Sequence, residues 1–228
     1  MLPYINFHTH IPLENGHEDC LSILNYTQKD NFDLNDIPNN QYYSIGLHPW
    51  YVTKENFATD FEKLTQYIGD KKVLAIGECG LDALKGEDLA FQKTVFAAQI
   101  DLATSIQKPL IIHCVKAYNE LIALKKHMKP RIPMIVHGFN QNATILQQLL
   151  KNDFYISLGV EILRGDSNGH NSFKNMLIDR LFLENDDKNV PIEHIYAHAS
   201  ALLDIDVETL KRQICDNFNR ILTPHSIL

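Results

Sequence analysis

The chain has 228 residues, of which 45% are hydrophobic and 21% are charged, and its formal net charge is −7. This composition argues against intrinsic disorder, and the acidic balance argues against the broad basic face of nonspecific nucleic-acid binders. No apolar run reaches the ~20 residues that span a bilayer, and the N-terminus lacks a secretory pattern. We therefore expect a cytoplasmic protein with no membrane partner and no obligate protein partner. The four cysteines lack CxxC spacing, which favours free thiols.

Short apolar runs rich in β-branched residues alternate with amphipathic segments along the whole chain. This rhythm is typical of repeated βα units around a parallel sheet. Eight such runs predict strands, at residues 4–10, 19–26, 42–48, 73–79, 109–114, 133–139, 154–160 and 180–184.

Helical spacing of apolar residues predicts helices at 87–106, 118–128, 141–151 and 207–220. The segment 27–41 is rich in Asn, Asp and Pro, which favours turns and indicates an abbreviated second crossover. Eight parallel strands are the number that closes a (β/α)8 TIM-type barrel. We therefore predict an α/β fold with one somewhat abbreviated barrel domain over residues 1–228.

The ends of the predicted strands carry side chains that bind metals. His8 and His10 lie two residues apart, so both imidazoles point to the same side of their strand. The carboxyl ends of barrel strands share one face, where barrel enzymes build their active sites. The residues that this argument selects as metal ligands are His8, His10, Glu78, His113, His137 and Asp186.

Each of these residues has a structural alternative when it is taken alone, because a single histidine in an apolar strand is more often a core residue than a ligand. Glu78 differs, since an ionised carboxylate in a buried strand is unfavourable unless it is paired or binds a metal. The six together favour a site for one or two divalent cations, with Mg²⁺, Mn²⁺ and Zn²⁺ as candidates. Six ligands exceed the needs of one tetrahedral ion, which indicates a two-metal site with Glu78 as the bridge.

Other residues near these strand ends are candidates for substrate contacts. His48 ends a predicted strand, and Lys116 and Arg164 follow predicted strands. All three have side chains suited to phosphate or leaving-group contacts. Trp50 and Tyr51 could stack a nucleobase. The alternatives are a loop-packing histidine, solvated loop charges and aromatic residues that cover the barrel rim.

The segments FHTHIP, GLHPW, AIGECGLD, KPLIIHC, IVHGFN and LFLEND resemble the TatD family of metal-dependent hydrolases, in this order and along nearly the whole chain. The resemblance implies a barrel of the amidohydrolase superfamily with the six ligands named above. It also implies a metal-dependent nuclease that removes nucleotides from DNA ends, or a deacylase acting on mischarged tRNA. In such an enzyme Asp186 would accept a proton from the attacking water, so Asp186 and Glu78 are the expected catalytic residues.

Two segments depart from the family pattern. Val115 stands where the family has an arginine two residues after the histidine, and the neighbouring Lys116 offers a point charge in place of a bidentate guanidinium. The sequence ENDDK replaces ETD followed by a small residue and proline. Three functions therefore stay open: a 3′–5′ exodeoxyribonuclease acting on DNA, a hydrolase of a small-molecule amide, ester or phosphoester, and a barrel that binds metal or a partner without turnover.

Overall fold

The computed structural model describes residues 2–13, 19–28 and 39–222. In this part of the chain, eight strands form one sheet whose order follows the sequence. The strands are Tyr4–Thr9 (β1), Cys20–Thr27 (β2), Gln41–Gly46 (β3), Val73–Asp82 (β4), Leu110–Val115 (β5), Met134–Val136 (β6), Tyr155–Leu158 (β7) and Leu181–Leu183 (β8).

The pairing of the strands is parallel for β1 with β2, β3 with β4, β4 with β5 and β7 with β8. A parallel bridge between Thr9 and Asp186 joins β1 to the segment after β8. This strand order and the bridge are those of a (β/α)8 barrel, which confirms the predicted fold class.

Helices follow most of the strands in the described residues. Two short 3₁₀ helices cover Val160–Leu163 and Ile178–Arg180. The α-helices are Phe57–Tyr67 (α1), Leu89–Ile106 (α2), Tyr118–Met128 (α3), Ala143–Lys151 (α4), Asn168–Phe173 (α5), Ile192–Leu203 (α6) and Val207–Leu222 (α7).

The described residues form two compact units. The first unit contains residues 2–13, 19–24, 39–41 and 136–222. Its core includes three fully buried phenylalanines: the Phe7 ring stacks on Phe182 with centroids 4.0 Å apart and meets Phe218 edge to face at 6.5 Å. Because Phe7 directly precedes His8, this packing fixes the strand that carries the predicted HxH ligands.

The second unit contains residues 25–28 and 42–135. Its core lies where α2 packs on β4, and Ile76, Phe96 and Ile100 are buried there. Helix α2 begins at an N-cap, where the Asp88 side chain accepts a hydrogen bond from the Phe91 amide.

Several predicted boundaries differ from the structure. The fourth strand extends three residues further than predicted, because its pairing with β5 continues to Asp82 and Val115. The sixth strand is shorter, since Gly138 adopts a positive φ of 56° that ends the extended run. Helices α1, α5 and α6 were not predicted. Most of the turn-rich segment 27–41 lies outside the described residues.

A single domain over residues 1–228 stays a prediction from the sequence, and chemical denaturation can test it. Small single domains usually unfold in one cooperative transition. Trp50 is the chain's one tryptophan and lies in the second unit, so its fluorescence follows that unit, whereas circular dichroism at 222 nm follows all helices. The two urea transition midpoints should coincide. Separate midpoints would contradict the prediction.

Candidate metal centre

In the first unit, four of the predicted ligands lie close together and form the first ligand set: His8, His10, His137 and Asp186. The Nε2 atoms of His8 and His10 are each 3.6 Å from the same oxygen, Oδ1 of Asp186. The ring of His137 lies 4.1 Å from that of His8, centroid to centroid, and ligand atoms of His8, His137 and Asp186 all lie within 4.8 Å of one another. His8 is fully buried, whereas His10 and Asp186 are about one-third exposed. One side of this set is therefore open to solvent.

Local backbone irregularities aim these side chains. The register of β1 on β2 shifts between Asn6 and Thr9, so a bulge falls at the residues around His8. Asp186 has a left-handed φ of 54°, a conformation that aspartate tolerates better than most residues. Its backbone is held on both sides, because its N–H donates to the His8 carbonyl at 3.1 Å and its carbonyl accepts from the His10 N–H at 2.9 Å.

A buried glutamate lies behind His137. Glu184 is fully buried, and its Oε1 accepts a hydrogen bond of 2.6 Å from the Gly138 N–H and lies 3.4 Å from Nδ1 of His137. A carboxylate at Nδ1 favours the tautomer in which that nitrogen carries the proton, so that Nε2 of His137 is the atom that would bind a metal. Glu184 thus orients a predicted ligand, although it was not among the predicted site residues.

In the second unit, the second ligand set consists of Glu78 and His113. The carboxylate of Glu78 lies between His113 and a further histidine, His48. Its Oε1 is 3.0 Å from Nε2 of His48 and 2.9 Å from Nδ1 of His113, and Glu78 and His48 are both buried. The His48 tautomer follows from a backbone contact: its Nδ1 accepts from the Trp50 N–H at 3.1 Å, so its Nε2 carries the proton and donates to Glu78. The hydrogen bond from His48 therefore holds the Glu78 carboxylate in position.

The backbone around Glu78 is also fixed. The Glu78 N–H donates to Oδ1 of Asn25 at 2.7 Å, and the register of β4 on β5 shifts between Ile76 and Cys79, so Glu78 lies in a bulge in the middle of the strand. A Cβ at Gly80 would clash with the His113 carbonyl, which explains why only glycine fits there. Glu78 was predicted near the strand end, but β4 continues to Asp82.

A second carboxylate contacts His113. Asp82 is buried at the end of β4, and its Oδ2 lies 2.9 Å from Nε2 of His113. Burial raises the pKa of Asp82, but hydrogen bonds from Trp50, His113 and the Leu84 amide outweigh it, so the pKa lies below its usual value. Asp82 is therefore ionised at neutral pH and acts as an acceptor.

Both sets fit a divalent cation by donor chemistry and spacing. Imidazole nitrogens with carboxylate oxygens suit Zn²⁺ and Mn²⁺, and the carboxylates also suit Mg²⁺. Ligands held tetrahedrally at ~2.0–2.2 Å from one ion lie roughly 3.3–3.6 Å apart. The 3.6 Å separations around Asp186 Oδ1 match this spacing. At the right angles of an octahedral site the spacing falls to roughly 3 Å, close to the 2.9 Å between Glu78 and His113.

The predicted substrate contacts lie in different surroundings. Lys116 is exposed directly after β5 and has a φ of 53°. Arg164 is exposed, with Nη1 3.6 Å from Oε2 of Glu161. His48 is buried behind Glu78 and uses both ring nitrogens, as described above. The role of these three residues in substrate contact stays a prediction.

The cysteines take no part in either set. All four lie in the described part of the chain, and each is a free, buried thiol. Burial raises the pKa of Cys114 to about 12 and that of Cys79 well above its usual value, so neither supplies a thiolate at neutral pH. This agrees with the prediction of free thiols.

Three supporting residues were missed by the sequence reasoning. Asp82 ends the GECGLD motif and could have been found there, because it follows Glu78 by four residues at the end of a strand. Glu184 is the first residue of ENDDK, which offers two further acidic residues nearby. Asn25 had no sequence signal, since an asparagine in a predicted strand does not indicate a partner.

Comparison with known proteins places the chain in a family. The sequence model described as TatD related DNase matches residues 18–223. A stretch of 119 residues is 34% identical to the 3′-5′ ssDNA/RNA exonuclease TatD of Edwardsiella piscicida, covering 50% of this chain and 45% of that protein. An uncharacterized metal-dependent hydrolase of Buchnera aphidicola is 31% identical over 150 residues, covering 64% of this chain and 56% of its own length. The chain thus matches about half the length of each of these relatives.

Solved structures support the same fold. The TatD homolog YJJV from Escherichia coli has a TM-score of 0.77 at 18% identity, covering 96% of this chain and 98% of its own. A TatD family hydrolase from Entamoeba histolytica has a TM-score of 0.80 at 17% identity, covering 98% and 99%. None of the described helices is long and apolar enough to cross a membrane. Because the family model covers most of the chain, the protein belongs to the TatD-related DNase family.

Proposed function

We propose that the chain is a metal-dependent phosphodiesterase that removes nucleotides from the 3′ end of DNA. The observation that carries this proposal is the convergence of His8, His10 and Asp186, since two imidazoles meet one carboxylate oxygen at 3.6 Å beside solvent. The relative from Edwardsiella is described as a 3′-5′ exonuclease acting on single-stranded DNA and RNA. We extend that activity to this chain as a proposal.

One or two divalent cations are proposed on the six residues predicted from the sequence. A bound divalent cation lowers the pKa of a coordinated water toward ~7 and polarises a phosphoryl oxygen. Asp186 is the proposed general base, because its carboxylate is one-third exposed and is held by its own backbone contacts. Glu184 keeps His137 in the tautomer that presents Nε2. His48 donates to Glu78 and so holds that carboxylate in place.

The surface charges near the second ligand set suit an anionic substrate. Lys85 and Lys116 are exposed. Lys85 is three residues past the end of β4, which carries Glu78, and Lys116 directly follows β5, which carries His113. The ammonium of Lys85 lies 3.5 Å from the centroid of the Trp50 ring, so a cation and an aromatic face occur together. Such pairs bind single-stranded nucleic acid through phosphate charge and base stacking.

A second candidate is hydrolysis of a small-molecule amide, ester or phosphoester by the same ligands. It is favoured by one observation, the valine at position 115 where the family has arginine. Lys116 supplies charge but cannot grip phosphate bidentately.

The proposed function is tested with a single-stranded DNA oligonucleotide labelled at either end. The protein is supplied with Mg²⁺, Mn²⁺ or Zn²⁺ in separate reactions. A 3′–5′ exonuclease gives a descending ladder from the 5′-labelled strand and an immediate labelled mononucleotide from the 3′-labelled strand. Glu78→Ala should remove this activity. Glu62→Ala, which changes an exposed carboxylate on α1, is the matched control and should keep it.

Intact DNA with every ion, from protein that binds metal, would overturn the nuclease proposal. Turnover of amide, ester or small phosphoester substrates under the same conditions would then support the second candidate.

A further inference from the structure

The carboxylate of Asp82 accepts hydrogen bonds from four directions. Its Oδ1 accepts from the backbone amides of Leu84 at 2.8 Å and Lys85 at 3.1 Å. Its Oδ2 accepts from Nε1 of Trp50 at 2.6 Å and lies 2.9 Å from Nε2 of His113. A carboxylate held by this many donors keeps one orientation. Asp82 is therefore a fixed acceptor for the imidazole of His113.

The backbone of Asp82 is fixed from the opposite side by a buried glutamine. Gln92 lies on α2 and is 1% exposed. Its Oε1 accepts from the Asp82 N–H at 2.7 Å, and its Nε2 donates to the carbonyls of Asp82 at 2.9 Å and Lys85 at 3.0 Å. The helix thus holds both the strand end and the loop that follows it. Such support restricts the movement of the carboxylate relative to His113.

This arrangement selects one nitrogen of His113 for the metal. Both oxygens of Asp82 already accept hydrogen bonds from N–H groups, at the Leu84 and Lys85 amides and at the Trp50 indole. Asp82 is therefore an acceptor toward His113 as well, and Nε2 of His113 carries the hydrogen of that bond. In a neutral imidazole, Nδ1 then has a lone pair, and it lies 2.9 Å from Oε1 of Glu78. Two acceptor atoms at that distance repel each other unless a cation or a proton lies between them. A metal ion that binds both atoms removes this repulsion.

We propose that Asp82 is a positioning residue, which holds Nδ1 of His113 toward the cation and couples occupancy of the Glu78 and His113 pair to Trp50 at the surface. The inference rests on the metal site of the proposed function. Trp50 is 36% exposed, and its indole N–H ends on the same Asp82 oxygen that faces His113. A ligand bound by His113 therefore changes the charge distribution on the acceptor of the indole N–H.

The chain offers a direct reporter for this coupling, because it contains one tryptophan. Its indole gives one ¹H–¹⁵N cross-peak, which is expected downfield owing to the short hydrogen bond to a carboxylate. In the wild-type protein, titration with Zn²⁺ should shift this cross-peak. In Asp82→Asn the cross-peak should lie upfield before any metal is added, and Zn²⁺ should move it little.

The affinity for Zn²⁺ is measured in parallel by competition with a chromophoric chelator. Loss of a carboxylate behind a ligating histidine typically weakens binding by ~10–100-fold, and this range is expected for Asp82→Asn. Trp50→Phe removes one donor and keeps the ring, so binding should weaken by roughly 2–10-fold, as for one hydrogen bond. Asp101→Asn, on the exposed face of α2, removes the same charge and should bind as the wild type does.

The outcomes separate this inference from the proposed function, because neither readout uses DNA. The positioning role would be overturned if Asp82→Asn bound Zn²⁺ with wild-type affinity. It would also be overturned if Zn²⁺ did not shift the indole cross-peak of the wild type. Neither result would affect the nuclease proposal. If the protein did not hydrolyse DNA but both readouts were as expected, the positioning role would still hold. If Asp82→Asn fails to fold, an unchanged affinity in Trp50→Phe would overturn the coupling.

Discussion

Replacement of Asp186 with asparagine should lower the rate of DNA hydrolysis by about 10²–10⁴-fold, the usual contribution of a general base. The substitution removes the charge and the proton-accepting capacity but keeps the shape. Asparagine also tolerates the left-handed φ of 54° found at this position. The backbone hydrogen bonds to His8 and His10 do not involve the side chain, so they remain.

The measurement is the initial rate on the labelled oligonucleotide at saturating metal, where the effect should lie in kcat. The adjacent Asp187 is a matched control. Its side chain is 59% exposed and pairs with Lys188, and such surface pairs contribute little to stability or function. Asp187→Asn should keep nearly full activity. Equal rates for Asp186→Asn and the wild type would exclude Asp186 as the base.

Truncation of Phe182 to alanine should reduce the free energy of unfolding by about 3–5 kcal/mol. The ring is fully buried and stacks on Phe7 with centroids 4.0 Å apart. Its loss leaves a cavity on β8, the strand that precedes Glu184 and Asp186, and removes packing from β1 beside His8. The free energy of unfolding should therefore fall, and the side chains of the first ligand set should be held less firmly in position.

Urea denaturation followed by circular dichroism measures this loss. Phe61→Ala is the control, because this ring is only half-buried on α1 and packs beside Phe57 with centroids 5.6 Å apart. Its cost should be clearly smaller. A cost for Phe182→Ala of about 1 kcal/mol, the centre of the range for point mutations, would show that the stacked pair is not a major part of the core.

Much of the fold could be predicted because hydrophobic patterning is strong in the strands. Each of the eight predicted strands overlaps a strand of the described sheet, and helix α3 has the predicted bounds. Helix α1 was missed although Phe57, Phe61 and Leu64 recur at helical spacing in it. The bulges at His8 and Glu78 could not be predicted, since they depend on the register with neighbouring strands.

The ligand residues could be selected by residue type and strand position, but the supporting contacts that depend on the tertiary fold could not. His8, His10 and Asp186 converge as the HxH spacing and the strand ends predict. Gln92 lies at helical spacing from the buried Val95 and Phe96, but its contacts to Asp82 depend on the tertiary fold. The tautomer of His48 likewise depends on a backbone amide that no side-chain pattern reveals.

We propose that the predicted histidines and carboxylates hold the divalent cation. The most direct test is the number of Zn²⁺ equivalents retained after equilibrium dialysis, measured by elemental analysis for the wild type, His10→Ala, Glu78→Ala and the control Glu62→Ala. We predict one or two equivalents in the wild type and the control, and fewer in both ligand variants. No bound Zn²⁺ in the wild type, or unchanged equivalents in the ligand variants, would contradict it.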